Sequence, residues 1–273
     1  MSDPNEIAEC NAQFLAAWIH FSRCLPGHRI EQTDGVSAIL SGTGMALLNI
    51  ATLSSPAGNR TDLERRARIG AELARTGGVP WFFALSDSWA PGGDADASAE
   101  LLAGLGFQPA VSIMGMVAEA LPTPRREIAG LELRRVGDAE TRAAVADLNS
   151  TAYSLPLPIG RAALAHEALW DDRAFGRVGY VGDQPVCCAA TFMVEGIRYV
   201  GFVATAAEHR RKGYAEAVMR CCLDDALSAT GAQRTVLHAT DLGRPVYEAM
   251  GYHAVTRFAF YTPPPDYLPP PQA

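Results

Sequence analysis

The chain has 273 residues, of which 48% are hydrophobic and 19% charged, with a formal net charge of −7 and a pI near 5.4. That length accommodates two ordinary domains with a substantial core, and the acidic balance argues against a nucleic-acid or membrane-surface binder, whose partners attract positive surfaces. No apolar run approaches the roughly 20 residues of a membrane span, and the acidic start Met1-Ser2-Asp3-Pro4-Asn5-Glu6 lacks the basic and apolar regions of a signal peptide, so a cytoplasmic protein is expected.

Asp3 or Asn5 can cap an early helix that carries Phe14, Leu15, Trp18 and Ile19. Residues 36–41 and 45–52 read as two strands joined through Gly42-Thr43-Gly44. A helix from Thr61 or Asp62 to about Thr76 stops at Gly77-Gly78, and residues 79–85 form a strand with Pro80 near its start. Residues 99–107 make a short helix before the extended stretch 111–117. Two prolines, Pro122 and Pro124, mark residues 121–126 as a linker, which divides the chain into domains 1–124 and 125–273.

The second domain opens on a strand at 131–136 and a helix from Asp138 to about Ser150. Pro156 and Pro158 break that helix, and another is expected at 161–170. Strands at 178–181 and 186–194 pair across Gly182-Asp183, and Glu195-Gly196 turns into the apolar strand 199–203. Ala215, Val218, Met219, Cys222, Leu223 and Ala226 then recur at helical spacing, a strand covers 235–240, and residues 243–252 form a short helix closing on Gly251. Antiparallel strands followed by alternating helix and strand give an α/β fold with a sheet of mixed direction. The prolines from Pro263 to Pro271 make an extended tail.

Cys10, Cys24 and the adjacent pairs Cys187-Cys188 and Cys221-Cys222 show neither C-x-x-C nor zinc-finger spacing. They suit core positions in a reducing compartment, and no metal is expected.

Between strand 199–203 and the following helix lies His209-Arg210-Arg211-Lys212-Gly213-Tyr214-Ala215. Gly213 permits close approach or a positive φ, the first amides of the helix lack intrahelical partners, and three cations stand beside them, so the loop can hold phosphates. The bland reading is a solvated basic turn. The pattern, however, resembles motif A of the GNAT N-acetyltransferase superfamily, in which a V-A-T-like strand end leads into [RQ]-x-x-G-x-[GA]; Val203-Ala204-Thr205 and then Arg210, Gly213 and Ala215 fill those positions. Tyr247-Glu248-Ala249-Met250-Gly251-Tyr252 is similar to the family's Y-E-x-x-G-[FY] segment, and the resemblance runs from about Leu131 onward.

The resemblance implies acetyl-CoA as co-substrate. Val203, Ala204 and Thr205 would meet its pantetheine arm, and Arg210, Arg211, Lys212, Gly213, Tyr214 and Ala215 its pyrophosphate. Tyr247 matches the position whose phenol protonates the departing thiolate. Thr240-Asp241 departs from the asparagine common after the fifth strand. Acceptor specificity would fall to the segment with Tyr153, His166, Glu167 and Trp170, and Glu195, His238, Tyr199 or a water chain could take the amine's proton. The acceptor is expected to be an amine-bearing small molecule or protein, and a homodimer stays compatible with the sequence.

The first half repeats the order of the second. Ile50-Ala51-Thr52 stands beside Val203-Ala204-Thr205, and Gly106-Phe107 beside Gly251-Tyr252, at offsets of 153 and 145 residues. We read a duplication, hence two tandem GNAT-like domains, each a mixed, largely antiparallel sheet flanked by helices. At the first offset Ala57 faces Arg210, Arg60 faces Gly213 and Asp62 faces Ala215, while Leu102 stands in place of Tyr247, so the first copy is expected to be degenerate. Against an acetyltransferase stands a non-catalytic acyl-CoA-binding regulatory or scaffolding protein. A P-loop reading fails, because the lysine precedes Gly213 and no G-K-[ST] follows.

Overall fold

A computed structural model describes residues 3–124 and 128–269. The chain divides into two compact units, one comprising residues up to Gly115 together with those from Val255 on, the other Met116–Ala254.

In the first unit, α1 (Pro4–Arg23) starts at Asp3, whose carboxylate accepts from the Asn5 amide. Strands β1 (Arg29–Thr33), β2 (Val36–Leu40) and β3 (Asn49–Leu53) pair antiparallel in that order. Helix α2 (Arg60–Arg75) crosses over to β4 (Phe82–Ser86), which lies parallel to β3. Then come α3 (Ala95–Gly104) and β5 (Gln108–Ala118), the last three residues of β5 belonging to the second unit.

The second unit begins with β6 (Glu132–Arg135) and α4 (Ala139–Ala152), whose start is fixed by a reciprocal Asp138–Thr141 capping box. It continues with α5 (Leu157–Leu164), β7 (Ala174–Val181), β8 (Gln184–Val194), β9 (Ile197–Thr205), α6 (Tyr214–Thr230), β10 (Thr235–Ala239) and α7 (Arg244–Ala249). Strands β6 to β9 are successively antiparallel, and β10 joins β9 in parallel. Helix α4 packs Val145 and Leu148 over Val178, Cys188 and Ala204, while Cys222 of α6 donates its thiol to the Ala189 carbonyl. The hairpin-then-crossover plan of β1 to β4 thus recurs in β7 to β10.

Three expectations need correction. The boundary at 124/125 fails because a further strand, β11 (His253–Thr262), pairs antiparallel with β4 and places Phe258 on Phe14 at 4.3 Å, so the C-terminal residues complete the first core. The expected strand at 45–52 is half a 3-10 turn (Ala46–Leu48). There the buried Asn49 amide donates to the carbonyls of Thr43, Met45 and Pro80, bending the chain before β3. The helix expected at 161–170 starts at Leu157, because Pro158 sits in its first turn where a missing N–H costs nothing. It ends at Leu164, and Glu167–Trp170 forms a separate 3-10 turn. Strand β1 is an unforeseen addition. Of the linker at 121–126, Arg125 and Arg126 lie outside the described residues, as do Pro270 and Pro271 of the tail.

Glycine is required at Gly42, where φ is +76° and an added Cβ would fall 2.3 Å from the Gly27 carbonyl oxygen. Gly182 at φ +59° has open space around it. We expect Gly42→Ala to cost about 3 kcal/mol through backbone clash and strain together, and Gly182→Ala only the left-handed penalty of about 1 kcal/mol. Equal losses in denaturant unfolding of the two variants would refute this packing.

Candidate active site

The parallel register of β9 and β10 covers only Arg198, Tyr199 and Val200 against Thr235, Val236 and Leu237. Residues 201–205 of β9 therefore run on beyond the register shared with β10. The β8–β9 register also shifts there, Ala190 opposing Gly201 and Cys188 opposing Ala204, so β9 carries one extra residue, a β-bulge. Phe202 in the bulge has φ +54°. The motif residues Val203, Ala204 and Thr205 follow directly, and the Thr205 hydroxyl is buried without a hydrogen-bond partner among the described residues.

Beyond β9 the backbone curls through two left-handed residues, Arg211 at φ +62° and Gly213 at φ +84°, into the first turn of α6. Such alternation turns successive N–H groups toward one side, making an anion-binding concavity. Gly213 is the N-cap and supplies no side chain, so the opening amides of α6, from Tyr214 and Ala215 on, keep their donors for an outside acceptor. Arg210 donates through Nε to the Thr205 carbonyl at 3.2 Å, and Lys212 Nζ lies 3.4 Å from His209 Nδ1. Among the described residues neither Arg210, Arg211 nor Lys212 is paired with a carboxylate, which leaves three uncompensated cations beside a helix N-terminus. A cavity of about 300 Å³ adjoins this loop, lined by Leu148, Thr151 and Ala152 of α4 together with Pro185, Thr205 and Arg210.

Tyr247 on α7 is buried, its ring edge-on to Tyr252 at 6.3 Å, and its hydroxyl has no hydrogen-bond partner among the described residues. Burial, with the phenols of Tyr153 and Tyr252 nearby, pushes its pKa well above the ordinary tyrosine value. Gly243 makes room for that phenol, since a Cβ there would stand 3.2 Å from the hydroxyl oxygen. Thr240 is spent on the turn into α7, its carbonyl accepting from the Gly243 and Arg244 amides.

Other candidates fare differently. Tyr199 and His238 meet, hydroxyl to Nδ1 at 2.9 Å, and burial lowers the His238 pKa to about 3, which keeps the ring neutral and weakly basic. Glu195 is an exposed residue of the β8–β9 turn at φ +47°. Trp170 serves packing: its Nε1 donates to the Leu164 carbonyl, and its ring fills the space a Cβ on Gly176 would need. Tyr153, the C-cap of α4, is the one member of the proposed acceptor segment found near Tyr247. Asn149 of α4, a single asparagine in an ordinary helix and outside both motifs, is buried and donates to the Phe202 carbonyl.

A family model described as the acetyltransferase (GNAT) family matches residues 142–252. The second unit carries a GNAT acetyltransferase domain. Among solved structures the chain is similar to a GCN5-related N-acetyltransferase from Kribbella flavida, with TM-score 0.69 and 18% identity over 94% of this chain and 95% of that one. It also resembles one from Sphaerobacter thermophilus, with TM-score 0.55 and 15% identity over 83% and 76%. A tandem GNAT protein from the clavulanic acid biosynthesis pathway matches with TM-score 0.55 and 13% identity over 93% and 94%. No curated protein sequence matches. These folds extend over nearly the whole chain, so the first half is GNAT-like in fold as well.

The GNAT-like first unit has a closed counterpart of the phosphate loop. At the start of α2, Asn59 accepts from the Asp62 amide and Asp62 accepts from the Gly58 amide. The Asp62 carboxylate also pairs with Arg65 and Arg66, and the Gly58 amide and these cations hold its pKa below the ordinary carboxylate value. A carboxylate thus takes up an amide at the start of α2. At the start of α6 the N-cap Gly213 offers no side-chain acceptor to the opening amides. Among the described residues, no group of three or more His, Cys, Asp or Glu side chains could hold a metal ion.

Proposed function

We propose that the second unit transfers an acetyl group from acetyl-CoA to a primary amine of a small molecule or protein by direct attack in a ternary complex. The observation that carries this reading is the contrast between two helix starts, α2 sealed by Asn59 and Asp62 and α6 open behind Arg210, Arg211 and Lys212. The donor's pyrophosphate fits the open start, with its charge met by unpaired amides and the helix dipole. The unpaired edge of Val203, Ala204 and Thr205, with the orphaned Thr205 hydroxyl, fits the amides of a pantetheine arm. Binding remote from the reacting carbon then positions the thioester along the end of β9.

The acetyl group supplies the electrophile; the protein's residues orient it, stabilise charge and move a proton. A backbone N–H of the β9 bulge stabilises the developing oxyanion. Tyr247 remains protonated because its pKa is raised, and it can donate from Oη to the leaving sulfur. Phenol and thiol have reference pKa values of about 10 and about 8.5. With His238 held neutral at a pKa of about 3, the amine's proton leaves through water rather than to that ring.

Thiol release from acetyl-CoA across a panel of primary amines, with mass spectrometry of each product, tests the activity. We expect at least one amine to be acetylated in step with thiol release. Tight acetyl-CoA binding with no acetylated product across small amines and lysine peptides would favour the acyl-CoA-binding regulator.

A further inference from the structure

The bulge in β9 depends on a side chain that lies outside both sequence motifs. Asn149, near the end of α4, is 1% exposed, and its Nδ2 group donates to the Phe202 carbonyl at 3.2 Å, to the Val145 carbonyl at 2.9 Å and to Cys188 Sγ at 3.4 Å. The Cys188 thiol donates to the same Phe202 carbonyl at 3.4 Å. One buried amide thus joins α4, β8 and β9 at the residue where the strand is irregular. Its two carbonyl acceptors fix which end of the side chain is nitrogen, because an oxygen there would face two other oxygens.

Phe202 at φ +54° holds a conformation that costs a side-chain-bearing residue about 1–2 kcal/mol. Such strain persists only where the surroundings hold it. Across a trans peptide the carbonyl and the following N–H point in opposite directions. With the Phe202 carbonyl drawn toward Asn149, the Val203 N–H is directed away from α4. Val203 sits in the bulge, beyond the parallel register with β10, and has no Cα partner in the β8–β9 register either.

We propose that Asn149 is the positioning residue that aims the Val203 N–H at the thioester carbonyl of the bound acyl donor. The proposal rests on the acetyl-CoA reading above and adds to it the group that fixes the oxyanion donor. Asn149 acts through the backbone and touches no substrate. Cys188 contributes a weaker second anchor on the same carbonyl.

The test uses acetyl-CoA carrying carbon-13 at the acetyl carbonyl, bound to the full chain and read by difference infrared spectroscopy. In the wild-type protein we expect the carbonyl band below its position in free acetyl-CoA. In Asn149→Ala, and in Asn149→Asp, which has the same shape but no donor, the band should return toward the free value while the acetyl-CoA Kd stays within about threefold. Turnover should fall roughly 10- to 100-fold, the range for a weakened oxyanion donor. Adding Phe202→Gly to Asn149→Ala should restore the lowered band, since glycine adopts a positive φ freely; loss of packing alone would not be rescued this way. Should Asn149→Ala fail to fold, nuclear magnetic resonance of the wild-type Val203 amide decides: its proton must shift with acetyl-CoA and not with CoA. An unchanged carbonyl band in the folded Asn149 variants, or a silent Val203 amide, overturns the proposal. Wild-type protein that binds no acetyl-CoA removes the donor reading itself, a separate result visible before any variant is made.

Discussion

Replacing Tyr247 by phenylalanine should lower kcat by roughly 10²- to 10⁴-fold, the usual contribution of a positioned acid, and leave the acetyl-CoA Kd within a few-fold. The hydroxyl has no structural bond to lose among the described residues, and the ring stays against Tyr252, so folding should be spared. Burial raises the phenol's pKa, so it is protonated below and through the ordinary tyrosine value. The ratio of wild-type to Tyr247→Phe rates should therefore be constant from about pH 6 to about pH 9.5. Wild-type kcat should rise with pH as the acceptor amine loses its proton, with no falling limb below about pH 10. A limb near pH 8.5 that vanishes in Tyr247→Phe would show a phenol ionising too early to serve as the acid, and a variant with undiminished turnover would remove Tyr247 from the chemistry.

Gly213→Glu should abolish acetyl-CoA binding, with Kd weakened at least ~100-fold. Two causes act together. Position 213 has φ +84°, which penalises any side chain by about 1–2 kcal/mol, and the new carboxylate would occupy the anion position at the start of α6, much as Asp62 does at α2. Gly213→Ala carries the strain without the charge and separates the two, so we expect it to weaken binding by about tenfold only. Equal losses for both variants, read by titration calorimetry, would show that strain alone matters and that no phosphate lies there.

The strand–loop–helix around Gly213 was legible because its parts are local. A strand end, three cations, Gly213 and a helix lie within one short stretch, and the structure places each where the spacing implies. The difference between the two helix starts was legible by counting, with Asp62 standing where Ala215 stands, though the bonds that Asp62 makes at α2 were not. Long-range pairing was hidden. Nothing local shows that β11 completes the first core against β4, so the boundary at 124/125 was misplaced. Asn149 reaches Phe202 across 53 residues, and neither the bulge nor its anchor leaves a periodicity to read. Strand β1, with the sequence RIEQT and mostly polar side chains, carries little of the apolar alternation that marks a half-buried strand. His238 looked like a candidate base from its place on β10, and only its burial shows why it is a poor one.

An open donor site in the second unit and a sealed helix start in the first set a stoichiometry that isothermal titration of the full chain with acetyl-CoA reads directly. We expect one site per chain, unaffected by Asp62→Ala and lost in Gly213→Glu. Two sites per chain, or one that survives Gly213→Glu, would refute that arrangement.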